Sequence, residues 1–300
     1  MTIIQPDITT NYYPKSNIYL EHIARNNRHN LTDFRPFYID NQLIGYISKE
    51  FFNTLKSQSP YFLETPQSIV LSHDLHNFEL KSSFFDTLLH SLLNQKLIDP
   101  FRDEFYGVAP SLEKKPLFKI RRGASSYFGF RSYGVHLNGY VIKNDRMFMW
   151  IGKRSSTKQM APNKLDHIVG GGLPIGLSVF ENLVKESKEE ANIPADYLQR
   201  AKAVNGISYC RQTGPKLRRD TIFVYDLELP VNFVPNNEDG EVEKFMLIPI
   251  EEVIAYLQED DLFKFNCNLV LIDFLIRHGF LTPDDSNYLK IISELRQTQF

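Results

Sequence analysis

Cysteine is scarce in this sequence, with only Cys210 and Cys267 among 300 residues. Neither lies in a CxxC pair or at a Cys/His spacing, so a zinc site of the usual kind and a disulfide framework are excluded. We therefore expect two buried thiols in a protein of the reducing cytoplasm.

The sequence also lacks an excess of charge of either sign and any long apolar run. Lysine plus arginine number 34 and aspartate plus glutamate 36, so the net charge of −2 gives no support for non-specific nucleic-acid binding. No window approaches the ~20 apolar residues of a membrane span, and residues 1–15 lack the basic start and apolar core of a signal peptide. The composition, 42% hydrophobic and 23% charged, predicts a soluble globular protein that binds neither nucleic acid nor membrane.

The most informative stretch is residues 169–194, which read VGGGLPIGLSVFENLVKESKEEANIP. Its glycines permit close approach of the backbone to a ligand, and the segment after them has helical periodicity. The carboxylates of Glu186, Glu189 and Glu190 share one face of that helix and repel one another unless a cation lies between them. Oxygen ligands suit a hard divalent ion such as Mg²⁺, which takes further ligands from water and substrate phosphates. A solvated acidic helix face is the alternative interpretation.

This stretch resembles the Nudix box, Gly-x5-Glu-x7-Arg-Glu-U-x-Glu-Glu-x-Gly-U, in which U is a bulky apolar residue. The first glycine is matched by Gly171, and Glu186 follows the arginine position. The acidic pair is matched by Glu189 and Glu190, and the last apolar place by Ile193. The metal-binding half of the box is therefore intact.

Four positions depart from the Nudix box. Leu177 stands for the first glutamate, Lys185 for arginine and Ser187 for the apolar residue. Asn192 replaces the last glycine, and asparagine still has access to the left-handed conformation of a helix end. Lys185 keeps the positive charge of arginine but loses its bidentate fork.

Segments outside the box resemble one branch of the Nudix superfamily. The branch contains the Nudix half of fungal thiamine pyrophosphokinase fusion proteins, their stand-alone relatives and plant counterparts. The resembling segments are residues 150–155, 164–166, 239–245 and 273–279, together with Lys158 and Pro162. A missing first glutamate and a lysine for arginine are usual in that branch. The resemblance covers roughly residues 34–279 and implies an accessory domain followed by a Nudix domain.

The resemblance also implies a divalent cation, Mg²⁺ or Mn²⁺, and the residues that hold it. The implied metal ligands are the carbonyl of Gly171 and the carboxylates of Glu186, Glu189 and Glu190. A further carboxylate is expected from a later loop, where Glu241 fits, with Glu243 beside it. The catalytic residues are then Glu186, as a metal ligand or as the base for the attacking water, and Glu190.

Five other side chains are candidates for substrate binding. The cations Lys153, Arg154 and Lys158 are natural donors to phosphate oxygens, and a solvated loop is the alternative for them. Arg121 and Tyr127 lie in a loop that carries cations, hydroxyls and aromatic rings. An aromatic ring such as that of Tyr127 suits stacking on a heterocycle, although a position in the core is the alternative for it.

The order of elements, together with the Nudix resemblance, predicts two domains. Residues 1–115 are expected to form a small α+β accessory domain, and residues 116–300 an α/β/α sandwich of the Nudix fold with a mixed β-sheet. The charged, proline-bearing segment 112–117 predicts a hinge between them. Residues 211–219 are read as a basic turn that approaches the site.

The expected activity is metal-dependent cleavage of a diphosphate bond in a small molecule. The resemblance implies thiamine diphosphate, or its oxidised or otherwise damaged analogues, converted to the monophosphate plus phosphate. A nucleoside-linked diphosphate, such as a nucleotide sugar or a dinucleotide, is the alternative substrate. A Nudix module that binds a ligand without turnover and a protein-interaction scaffold are alternatives of other classes. A homodimer is also considered.

Overall fold

A computed structural model describes residues 16–158, 160–237, 240–259 and 261–297. Residues 31–130 form what we call the accessory unit, which is built on a four-stranded sheet with the order β2-β1-β4-β3. Its strands and helices are β1 (Phe34–Ile39), β2 (Gln42–Ser48), α2 (Lys49–Gln58), β3 (Phe62–Glu64), β4 (Ile69–Leu71), α3 (Phe78–Asn94), β5 (Phe105–Val108) and β6 (Phe118–Arg121). In the sequence, residues 37–47 read as two strands joined at the turn-forming Asp40 and Asn41. The structure confirms them as β1 and β2, and both turn residues have positive φ. The apolar periodicity predicts a helix over residues 83–97. Helix α3 begins earlier because the side chain of Asn77 accepts a hydrogen bond from the Leu80 amide and caps it.

A cluster of aromatic rings fills the core of the accessory unit. Phe85 of α3 stacks on Phe118 of β6, with ring centroids 4.4 Å apart. Phe128 stacks on Phe130 at 5.3 Å, just after a 3₁₀ turn at Arg122–Tyr127. Each such pair contributes about 0.5–1.5 kcal/mol beyond the area it buries. Residues as far along the chain as 130 therefore belong to this core.

The segment predicted as a hinge closes a hairpin. Strands β5 and β6 pair antiparallel, and the amide of Leu117 donates a hydrogen bond to the carbonyl of Val108 over 2.8 Å. Residues 112–117 are thus tied at the start of β6, so the hinge prediction is wrong. The division of the chain at residues 115 and 116 stays a prediction.

The remaining elements form what we call the large-sheet unit, residues 131–297 together with helix α1. Its strands are β7 (Arg131–Lys143), β8 (Arg146–Arg154), β9 (Leu165–His167), β10 (Val169–Gly172), β11 (Lys202–Thr213), β12 (Lys216–Glu228) and β13 (Val242–Pro249). Its helices are α1 (Asn17–Asn26), α4 (Val179–Ala191), α5 (Ala195–Leu198), α6 (Ile250–Gln258), α7 (Cys267–Arg277) and α8 (Tyr288–Leu295). Strand β12 pairs in parallel with β7, while β8 and β13 pair antiparallel, so the sheet is mixed as predicted.

Strand β12 shows how this sheet is covered on both faces. Successive side chains of a strand point to opposite faces. Val224 belongs to the apolar core under α1, α6 and α7, whereas Tyr225 belongs to the core under α4. This arrangement confirms the α/β/α sandwich.

Helix α1 packs in the large-sheet unit although it precedes the accessory unit in the chain. Tyr19 and Ile23 are buried in the same core as the residues of α7. Strands β11 and β12 form one hairpin that turns at Gly214, which has a φ of 55°. The predicted basic turn at 211–219 is therefore mostly strand. Among the described residues, no helix is long and apolar enough to cross a membrane.

Candidate active site

Helix α4 and the strand before it, β10, carry the glycines and acids of the box. Helix α4 begins with a capping box, in which the Ser178 hydroxyl accepts from the Glu181 amide and the Glu181 carboxylate accepts from the Ser178 amide. It ends at Asn192, whose φ of 49° and ψ of 40° are left-handed, as expected for this replacement of glycine. Both ends of the helix are thus fixed by local sequence.

Two of the acids contact the glycine strand directly. The carboxylate of Glu190 accepts a hydrogen bond from the amide nitrogen of Gly170 over 2.8 Å. The side chain of Glu186 lies against Gly171, where a Cβ atom would overlap its carboxyl group. Glycine is therefore required at position 171 by the close approach of the acid.

Burial makes these two carboxylates hard to ionise. Burial, and then the charge of Glu186, raises the pKa of Glu190 well above the usual carboxyl range, although the Gly170 amide opposes the shift. Burial also raises the pKa of Glu186, against the pull of the Lys185 ammonium 3.1 Å away. The two buried carboxylates repel each other when both are ionised, and a positive charge between them would relieve that repulsion. These carboxylates therefore fit a divalent cation.

The third acid of the box faces outward. The side chain of Glu189 is 47% exposed and pairs with Lys185 over 2.7 Å. Lys185 thus bridges Glu186 and Glu189 in the described structure. The role of Glu189 as a metal ligand stays a prediction.

Lys158 interacts electrostatically with Glu190, one of the two buried acids. Burial lowers the pKa of Lys158, while the charge of Glu190 opposes the shift, so the ammonium and the carboxylate are within electrostatic reach. The Lys158 ammonium pairs with Glu241, which also pairs with Arg102 of the accessory unit. The structure therefore brings Lys158 and Glu241 to the acids of the box, with Glu241 held by two cations. Asp239, the first residue of the segment 239–245 that resembles the thiamine-linked branch, lies outside the described residues.

The Arg154 side chain is buried and makes its hydrogen bonds within the protein. Its guanidinium donates to the Asp166 carboxylate over 2.7 Å and to the backbone carbonyls of Ala161 and Met160. The side chain is only 8% exposed, so these contacts hold the loop after β8 and give no support to the predicted phosphate clamp. Lys153 pairs with Glu243 over 2.8 Å on the exposed side of β8.

Arg121 and Tyr127 both lie in the accessory unit. The guanidinium of Arg121 donates to Asp86 over 2.7 Å and lies over the ring of Phe105. The Tyr127 ring is buried against Phe51, with ring centroids 5.0 Å apart. Tyr127 therefore has the surroundings of a core residue, which was the alternative to stacking on a heterocycle. Neither contact places these side chains against the acids of the box.

A second cluster of ligand-type side chains lies in the large-sheet unit, and its ligand atoms fall within 4.8 Å of one another. It contains His136, Asp166, His167 and Cys267, all of them buried. Asp166 is already paired with the guanidinium of Arg154 and the ammonium of Lys264, at 2.7 Å and 3.2 Å. A divalent ion added there would meet two buried cations, and burial raises the pKa of the Cys267 thiol well above its usual range. The donor set therefore does not suit a metal. Both cysteines are free and buried, as expected.

Two residues of the accessory unit were missed by sequence reasoning. The hydroxyl of Tyr106 and the guanidinium of Arg122 lie against Gly172, where a Cβ atom would be 3.0 Å from Cζ of Arg122 and would overlap the tyrosine oxygen. The run of three glycines was the available signal, because each of them meets a side chain from another element. The spacing of residues along the chain does not show which element supplies each of those side chains, because that depends on the tertiary structure.

Comparison with known proteins places the chain among Nudix proteins. It is 42% identical over 282 residues to "Nudix hydrolase 24, chloroplastic" of Arabidopsis thaliana, covering 93% of this chain and 77% of that one. It is 41% identical over 289 residues to "Nudix hydrolase 20, chloroplastic" of the same plant, with the same coverage. The Nudix domain of NrtR from Shewanella oneidensis, solved with ADP ribose, aligns with 51% of this chain and 91% of that one at 11% identity and a TM-score of 0.40. Residues 18–132 match a family described as a domain of unknown function, DUF4743.

The chain belongs to the Nudix hydrolase family. The protein is accordingly a hydrolase that acts on phosphorus-containing anhydrides, a pyrophosphohydrolase, and as such is expected to use a divalent metal.

Proposed function

We propose that this protein hydrolyses the diphosphate of thiamine diphosphate, or of its oxidised or otherwise damaged analogues, to the monophosphate and phosphate. The observation that carries the hydrolytic site is the docking of Glu186 and Glu190 on the glycines of β10. The choice of substrate rests on the sequence resemblance to the thiamine-linked branch, in residues 150–155, 164–166 and 273–279.

Glu186 and Glu190, with the carbonyl of Gly171, are the groups proposed to hold Mg²⁺ or Mn²⁺. Glu189 and Glu241 are proposed as further carboxylate ligands. When bound, such an ion neutralises charge on the diphosphate and lowers the pKa of water. The ion itself is a proposal that rests on the donor set.

The residues of the chain have separate tasks in the proposed reaction. A carboxylate oxygen of Glu186 accepts a proton from the attacking water, whose oxygen bonds to phosphorus as the bridging P–O bond breaks. The bridging oxygen leaves with the monophosphate, and the other product is phosphate. Lys158, beside Glu190, donates to a phosphate oxygen and holds it in place.

We also propose a cytoplasmic protein that acts on a small molecule and needs neither nucleic acid nor a membrane. The two free cysteines agree with a reducing compartment. The plant relatives are named as chloroplastic, which describes those proteins. Whether the protein is a homodimer is a question for light scattering on the purified protein.

The test is phosphate release by purified protein with Mg²⁺ or Mn²⁺ on a panel of thiamine-type and nucleoside diphosphates. Glu190→Gln is the inactive variant, and Glu181→Gln is its control on the same helix, because glutamine also serves at the third position of a capping box. We expect turnover strongest on thiamine analogues, abolished in Glu190→Gln and retained in Glu181→Gln. Turnover on nucleotides alone would overturn the substrate, and equal turnover in all three proteins would overturn the site.

A further inference from the structure

The hairpin β5–β6 of the accessory unit touches the loop that follows the glycine strand. The amide of Ile175 donates a hydrogen bond to the carbonyl of Phe105 over 2.9 Å, so backbone joins backbone between the two units. Gly107 of the same hairpin lies against the side chain of Ile175. These two contacts hold the end of the hairpin beside Gly172.

Arg122 stands at that end of the hairpin. Its amide donates to the carbonyl of Glu104 over 2.8 Å, and one terminal guanidinium nitrogen donates to the Glu104 carboxylate, also over 2.8 Å. Within the described residues no other hydrogen bond of this guanidinium is seen, although the group carries five N–H donors. The side chain is 46% exposed, so the remaining donors are accessible to a ligand from solvent.

Arg122 lies near the acids of the box. Gly172, which Arg122 contacts, is the neighbour of Gly171, which Glu186 contacts. Tyr106, and then Glu104 and Glu186, raise the pKa of the Arg122 guanidinium, although burial opposes them, so Glu186 is within electrostatic reach. A cation next to the proposed reaction centre, with donors left for an anion, matches the bidentate recognition of phosphate by arginine.

The adjacent arginine has the opposite arrangement. Arg121 is 15% exposed and pairs with both Asp86 and Asp103, while its guanidinium lies over the Phe105 ring. The charge of Arg121 is neutralised by these two carboxylates of the accessory unit. The two arginines thus have the same chemistry, and only Arg122 lies against the glycine strand with donors exposed.

We propose that Arg122 binds the diphosphate oxygens of the substrate, so that the accessory unit supplies part of the substrate site. The proposal rests on the proposed function in that it needs a substrate with a diphosphate group, but it is independent of the organic group attached. Tyr106 lies against Gly172, with its ring centroid 5.7 Å from Cζ of Arg122, and is a positioning residue.

Binding of inorganic imidodiphosphate, whose bridging NH resists hydrolysis, tests this proposal in the intact chain. Isothermal titration with Mg²⁺ present would compare wild type with Arg122→Ala, Arg122→Lys and Arg121→Ala, each checked by thermal melting. A hydrogen bond to a charged group contributes about 1.5–3 kcal/mol, which is roughly a 10- to 150-fold change in Kd. We expect that loss in Arg122→Ala, a smaller loss in Arg122→Lys because the charge remains, and a Kd within about twofold of wild type in folded Arg121→Ala.

Three outcomes would overturn the role of Arg122. They are no binding by wild type, an Arg122→Ala variant that binds like wild type, and equal losses in the two alanine variants. The proposed substrate fails separately. If wild type binds imidodiphosphate through Arg122 but releases no phosphate from thiamine diphosphate or its analogues, the binding role stands and the thiamine assignment does not.

Discussion

Glu190 accepts a hydrogen bond from the backbone amide of Gly170, with 2.8 Å between the nitrogen and the carboxylate oxygen. The bond joins helix α4 to strand β10 and orients the acid by backbone alone. No side chain at position 170 takes part in this bond. The cost is a carboxylate buried next to the charge of Glu186.

Replacing Glu190 by glutamine should reduce turnover and stabilise the metal-free protein. Turnover should fall roughly 100-fold or more because a carboxylate beside the proposed reaction centre is lost. The pKa of Glu190 is raised in the folded state above its ordinary value of 4.5. Ionised Glu190 therefore weakens folding, and the free energy of unfolding falls as the pH rises from about 4.5 through the folded pKa.

Thermal melts at pH 5 and pH 8, with and without Mg²⁺, measure this balance. Wild type should lose stability between the two pH values without metal and recover it when Mg²⁺ is added. Both responses should be smaller in Glu190→Gln, where Glu186 is the remaining buried acid whose pKa is raised. A Glu190→Gln variant whose melting temperature falls between pH 5 and pH 8 as much as that of wild type, in the absence of metal, would contradict a destabilising charge at Glu190.

Gly171→Ala should damage both stability and activity, since the new methyl group overlaps the Glu186 carboxyl group. Overpacking of this kind costs about 1–3 kcal/mol. The matched control is Gly206→Ala in strand β11, where an added Cβ meets no atom within 4 Å. Chemical denaturation should show a loss for position 171 and no comparable loss for position 206. Equal effects at both would mean that the close approach of Glu186 is unimportant.

Arg154→Ala should act on stability rather than on substrate affinity. The change leaves Asp166 buried with Lys264 as its remaining cation, and breaking a buried ion pair costs about 3 kcal/mol or more. Urea denaturation should report that loss, while the KM of the folded fraction changes little. A large rise in KM with an unchanged urea midpoint would restore the phosphate clamp predicted from sequence.

Asp226→Asn should destabilise the protein in a pH-dependent way. Burial opposes ionisation of Asp226, but hydrogen bonds from His278, Arg277 and Asn138 outweigh it and lower its pKa from 3.8 to about 2. Because the folded pKa is depressed, the stabilisation is complete above about pH 4 and is lost as the pH falls towards 2. The shift corresponds to about 2 kcal/mol.

Urea denaturation of wild type and Asp226→Asn at pH 7 and pH 3 checks the sign. The difference between the two proteins should be larger at pH 7 and should shrink at pH 3. A constant difference across that range would show that the ion pairs with Arg277 and His278 contribute nothing specific.

Much of the fold follows from local pattern. The period of the apolar residues and the turn residues Asp40 and Asn41 place the first hairpin, and the apolar run before His278 places α7. Where boundaries moved, a local contact was responsible, as with the Asn77 cap that starts α3. The hinge at residues 112–117 failed because charge and proline mark a surface turn equally well when it closes a hairpin.

The site was less accessible to sequence reasoning. Helical spacing brings Glu186 and Glu190 to one face, and the glycine strand beside them follows from the Nudix resemblance. Spacing could not assign Arg154 to a buried pair with Asp166, since that depends on where β9 lies against β8. It also favoured Arg121 over its neighbour Arg122, because the two differ only in which side of the hairpin end they face.

Helix α1 and strand β7 hold the two ends of the accessory unit in one body, because Tyr19 and Ile23 of α1 share a core with α7. Residues 31–130 are therefore an insertion whose two ends are both attached to the large-sheet unit, and not a domain joined to it by a single linker. We expect that an exchange of the accessory unit between relatives has to move residues 31–130 as a whole, with Tyr106 and Arg122 included. A fragment cut at residue 115 would instead split the hairpin β5–β6 and discard α1.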